Sequence, residues 1–170
     1  MGSSEGKMKK KNQMLFDQLM DKYDRKQEED RLAVEREKSE AEKFWRVFNK
    51  LRMEVIKPVM KEIGLLLSER GHSYRISEDE SLFDPEGQAQ EEKITLSITP
   101  AGMESDYTSR ISLTATARRK VRFYHDIICM ATDSRESGTL AEFWVNEINP
   151  DIIEGKIIEV LQKVFEPKNK

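Results

Sequence analysis

Residues 94–99 read Ile94-Thr95-Leu96-Ser97-Ile98-Thr99, and residues 111–117 read Ile111-Ser112-Leu113-Thr114-Ala115-Thr116-Ala117. Apolar and hydroxyl side chains alternate in both, which is the period of a strand with one buried face and one wet face. Strands of that kind belong to antiparallel sheets covered on one side only. The alternation resumes with Val121, Phe123, Ile127 and Cys129. Between the second and third runs stands Arg118-Arg119-Lys120, without the Gly, Asn or Pro of a favoured tight hairpin. The segment therefore reads either as one bent, bulged strand or as a hairpin with an unusual loop. A single strand from Arg110 to Met130 would run roughly 65 Å at ~3.3 Å per residue, so a break is preferred.

Working outward, Phe44, Phe48, Leu51, Val55, Val59, Ile63 and Leu66 recur at helical steps, widened by Trp45, Val47, Ile56, Met60 and Leu67. This predicts a core-facing helix over 44–70, interrupted near Lys57 by Pro58 and ended by Gly71. His72–Ile76 reads as a short strand, and the acidic stretch 78–92 as a loop. A further loop is expected at 103–109. Asp133–Gly138 reads as a turn, and 139–145 fits either an edge strand or a helix face. Asn149-Pro150-Asp151 supplies a cap, a proline for the first turn and an acid near the positive end of the dipole. The stripe Ile152, Ile153, Ile157, Val160, Leu161, Val164 and Phe165 then predicts a last helix, stopped by Pro167.

The expected fold is α+β. A long charged N-terminal helix leads into a two-layer domain, with a four- or five-stranded antiparallel sheet and its helices on one face. Residues 1–13 read as a disordered, lysine-rich tail, 14–43 as a charged helical extension and 44–170 as the domain. Charged residues make up 36% of the chain, and they crowd between Asp21 and Lys43. Pairs such as Asp21 with Arg25, Glu28 with Arg31, Glu35 with Lys38 and Glu42 with Arg46 support that helix. A sustained coiled coil is not predicted, because Phe16 and Tyr23 give way to Asp30 and Glu37 in the same heptad position.

The net charge is −3 over 170 residues, which opposes a general attraction to nucleic acid or anionic lipid. Cys129 is the only cysteine, so neither a disulfide framework nor a multi-cysteine zinc site is expected. No signal peptide or membrane-spanning run is recognised, and a cytoplasmic, reducing location follows from these readings. His125 and Cys129 share the apolar parity of their strand, which predicts a hydrogen-bonded buried imidazole and an inert buried thiol. The acidic 78–92 stretch lacks the ligand spacing of a calcium loop. Isolated glycines form no phosphate-cradling loop. No catalytic residue, cofactor or metal is assigned.

Two surfaces remain. Leu15, Phe16, Leu19 and Met20 form an apolar cluster at the far end of a polar helix, which predicts a homodimer or a protein partner. Arg118, Lys120, Arg122 and Tyr124 share the polar parity of their strand, and could hold an anion or single-stranded nucleic acid. The function read from the sequence is a non-catalytic interaction or adaptor domain that self-associates through its N-terminal helix. The alternatives are an anion- or nucleic-acid-binding module using 118–124, and an enzyme whose site is scattered along the chain.

Overall fold

The computed structural model of the chain describes residues 9–79 and 92–167. The tail through residue 8 and most of the acidic 78–92 stretch lie outside these. The chain divides into two units, Met1–Glu42 and Lys43–Lys170.

The first unit is helical. Helix α1 spans Lys10–Leu51, a run of 42 residues without Gly or Pro. It begins earlier than expected, since Lys10–Gln13 were read as tail. The Gln13 amide already donates to the Lys9 carbonyl at 2.9 Å, and Lys, Asn and Gln are compatible with a first turn. Between Lys26 and Glu35 the helix surface is laced by ion pairs, with Arg31 bonded to Glu28 and Glu35 and Lys26 3.1 Å from Asp30.

The second unit is the two-layer α+β domain. Its sheet has five antiparallel strands in the order β1-β2-β3-β4-β5. They are β1 (Ser73–Asp79), β2 (Lys93–Thr99), β3 (Ser109–Ala115), β4 (Lys120–Cys129) and β5 (Ser134–Trp144). Helix α2 (Lys57–Glu69) packs on β1, and α3 (Pro150–Phe165) on β4 and β3. The shared apolar core joins Phe48, Ile56 and Met60 from the helical stretch, Ile94, Leu96, Ile111, Leu113 and Phe123 from the sheet, and Ile153, Ile157 and Val160 from α3.

Pro58 does not break the helix. A π-helical turn, Arg52–Ile56, precedes α2, and the Lys57 amide reaches back to the Arg52 carbonyl. This wider turn holds one residue more than an α turn and opens the ladder ahead of the proline, which lacks a donor. One extra residue also rotates the buried line by about 100°. Downstream of Phe48 the core is therefore met by Arg52, Ile56, Met60 and Ile63, while Leu66 is exposed. The helix ends as Gly71 requires. At φ +88° Gly71 donates to Ser68, and His72 donates to Leu67, the paired bonds of a Schellman motif.

One loop reading holds and two change. The break between the second and third strand runs is a hairpin with the loop Ala117-Arg118-Arg119. Arg119 takes the left-handed conformation at φ 63°, and the Thr116 amide donates to the Lys120 carbonyl at 2.9 Å. Three-residue hairpin loops place a left-handed residue there, usually glycine. The expected turn at 133–138 lies earlier, at 130–133, with Asp133 left-handed at φ 52°. Ser134–Gly138 belong to β5. Glu78 and Asp79, expected in a loop, continue β1.

The expected cap of α3 is in place: Asn149 Oδ1 accepts from the Ile152 amide at 2.9 Å.

Candidate functional site

The apolar cluster read from the sequence sits on α1, with Leu15 56%, Phe16 49%, Leu19 59% and Met20 36% exposed. Met14 and Tyr23 lie beside them and are also exposed. Phe16, Met20 and Tyr23 follow at steps of four and three, which aligns them on one helix face. Of the predicted pairs along this helix, Glu28–Arg31 forms. Arg31 holds the Glu28 carboxyl below its ordinary range, chiefly by hydrogen bonding.

Of the basic strand stripe, Lys120, Arg122 and Tyr124 alternate along one face of β4, and Arg118 stands outside it. Arg118 lies in the β3–β4 loop rather than on a strand. The Lys120 ammonium sits 4.6 Å from the centre of the Trp144 ring, a cation–π contact. Arg122 stands in register between Thr114 and Glu142. Tyr124 is exposed, between Ser112 and Thr139. A turn residue, an arginine with a carboxylate in register and a lysine covering an indole do not make a continuous basic row.

Topology assembles what the linear reading missed. The sheet's outer face carries hydroxyls along β2 and β3, with Thr95 bonded to Ser112 at 2.9 Å and Thr99 to Thr108 at 2.8 Å. In one row across it stand Arg75, Ser97, Arg110, Asp126 and Ser137. The signal was present locally: Arg75 alternates with Tyr74 and Ile76, and Arg110 shares the parity of Ser112. Only strand pairing brings the two arginines to either side of Ser97.

On the covered face, Arg52 is 5% exposed and reaches the core edge from the π-helical turn. Its guanidinium lies 3.5 Å from Glu78 and 4.0 Å from Glu92, while Lys57 bonds Glu78 at 3.1 Å. Asn49 accepts a hydrogen bond from Arg52. Sequence reasoning passed over Arg52, since an α-helical period leaves it off the buried line.

His125 and Cys129 are drawn together through Glu136, which bonds Lys163 at 3.2 Å and lies 4.0 Å from His125 Nε2. The Cys129 thiol is half-buried rather than fully buried, and donates to Glu136 at 3.8 Å. Burial, then the Glu136 charge, pushes the thiol up, so it stays protonated. Burial lowers the His125 imidazole, whose Nδ1 reaches no hydrogen-bond partner among the described residues. The expected bonded imidazole is therefore met only by a charge contact. Among the described residues no group of three His, Cys, Asp or Glu side chains is placed to hold a metal ion. No helix among them is long and apolar enough to cross a membrane.

These features define a two-layer α+β domain with a covered apolar face, an outer hydroxyl face and an apolar cluster on its N-terminal helix. No protein-family model, curated protein or solved structure matches the chain.

Proposed function

We propose that the chain is a non-catalytic interaction module that self-associates through the N-terminal end of α1. The observation that carries this reading is the exposure of Met14, Leu15, Phe16, Leu19, Met20 and Tyr23 on neighbouring turns of one helix. A contiguous apolar surface of that kind marks an interaction site. A second copy is a fitting occupant, because the cluster meets its own complement when two such helices lie side by side. Behind it, Lys26 with Asp30, and Arg31 with Glu28 and Glu35, pair part of the charge along the helix. Burying three of these side chains contributes about 4–8 kcal/mol before association entropy is subtracted. The second copy buries as many, about 8–16 kcal/mol in all, and subtracting an association cost of about 4–15 kcal/mol is compatible with a dimer of roughly micromolar dissociation constant. A cytoplasmic setting suits a chain with one cysteine, held as a protonated thiol.

Sedimentation of the full chain over a concentration series tests the proposal. The expected result is a monomer–dimer equilibrium, shifted to monomer by Phe16→Asp with Leu19→Asp. A wild-type monomer at ~100 µM, well above a micromolar dissociation constant, overturns it.

A further inference from the structure

The outer face of the sheet carries a second feature that owes nothing to helix pairing. A cleft of about 450 Å³ opens over β1, β2 and β3, lined by Arg75, Ser77, Ser97, Thr99, Thr108 and Arg110 among others. Arg75 and Arg110 are each in register with Ser97, one strand to either side. At ~4.8 Å per strand their α-carbons stand roughly 10 Å apart, a span that two arginine side chains can close on one ligand.

The charge of this pair is not taken up by a bonded acid among the described residues. Among the described residues neither guanidinium forms an ion pair. The acid in register with Arg110 is Asp126, and it is already held by Arg135 at 2.9 and 3.3 Å and by Ser137 at 2.9 Å. That bonding keeps the Asp126 carboxyl below its ordinary range, with Arg110 acting on it only through space. Guanidinium groups match phosphate in planar, two-pronged geometry. The hydroxyls between them both donate and accept, which suits a ligand that itself carries hydroxyls.

Size and charge narrow the class further. The cleft volume is in the range of small-molecule sites. An extended polyanion would meet the whole molecule, whose net charge is −3, whereas a compact anion meets chiefly the two arginines. The ring of Tyr74 is wedged against Gly64 and is not free to stack on a base. We propose that this cleft binds a small, multiply phosphorylated, hydroxyl-bearing molecule of the sugar-phosphate class.

Calorimetric titration of the full chain with fructose 1,6-bisphosphate, and with pyrophosphate as a hydroxyl-free control, tests this. The sugar bisphosphate should bind below ~1 mM and more tightly than pyrophosphate. Arg75→Ala or Arg110→Ala should weaken it about tenfold or more, and Arg118→Ala should leave it unchanged. Both arginines are exposed, so the variants should keep the fold. Amide shifts confined to β1–β3 of the wild type would place the ligand without any variant. Absence of binding at ~10 mM, equal affinity in the double variant, shifts elsewhere, or tighter binding of a single-stranded oligonucleotide overturns the proposal.

Discussion

The ring of Tyr74 on β1 lies where a side chain on Gly64 of α2 would begin: a Cβ there would stand 2.4 Å from Tyr74 Cδ2 and 2.8 Å from Cγ. Helix and strand thus approach at a distance that only glycine permits. Alanine would add about 1 kcal/mol of helix propensity. The clash, however, falls on the root of a packed ring rather than on a flexible tip, and overpacking costs about 1–3 kcal/mol. Gly64→Ala should therefore lower stability by about 1 kcal/mol in a urea melt. In a Tyr74→Ala background the same change should be neutral or stabilising, a coupling that a double-mutant cycle reads directly.

Arg52 joins the end of β1 to the start of β2 by facing Glu78 and Glu92 at once. Removing its charge would leave two partly buried carboxylates with Lys57 alone. Breaking a buried pair by deleting one partner costs about 3–5 kcal/mol. Arg52→Met should fall near the lower end, at about 3 kcal/mol, because Lys57 still holds Glu78. Arg52→Met with Glu78→Gln and Glu92→Gln should recover part of the loss, measured by chemical denaturation.

His125 gives stability a pH dependence of definite sign. Its imidazole is lowered in the folded chain, by burial first, with Lys163 adding to the effect and Glu136, Asp126 and Glu159 opposing it. A histidine lowered on folding binds fewer protons folded than unfolded. Stability is thus complete above the ordinary value of 6.5 and is lost as pH falls from there through the folded value. Asp126 and Glu136 are also lowered, by Arg135 and Lys163, so a second loss follows in the carboxylate range. Denaturation midpoints should decline in two stages on acidification. His125→Phe should remove the first stage and leave the second.

The layers of the fold were readable wherever one periodicity held without interruption. Ile94–Thr99, Ile111–Ala115 and the Asn149-capped last helix needed no tertiary information. Where the register slips by one residue, linear reading failed. The π-helical turn centres the buried line on Arg52 and Ile56, with Leu51 and Val55 half-buried beside it; Ile56 was on the widened face, and Arg52 was the residue missed. On β5, Phe123 pairs with Ala141 and Tyr124 with Thr139, so Leu140 is an extra residue. That bulge sets Leu140 and Phe143 three apart and made an edge strand resemble a helix face. The left-handed Arg119 left the hairpin as one of two readings for a different reason: the backbone there is held by its closing bonds and not by a residue that prefers it. The arginine pair across Ser97 was unreadable in one dimension, since 35 positions separate its members along the chain.

Each strand of the sheet pairs with its neighbour in sequence. During synthesis, therefore, the sheet can grow strand by strand as it leaves the ribosome, each new strand closing only the connection just before it. Its cover arrives in two instalments. The helical stretch ending at Glu69 precedes every strand, whereas α3, which packs on β4 and β3, follows them all. From Cys129 to Phe165 the ribosome adds about 36 residues, roughly 2–7 s at ~5–20 residues per second. For that interval the apolar side of the central strands has only half its roof, and translation speed sets how long the nascent chain is open to wrong partners.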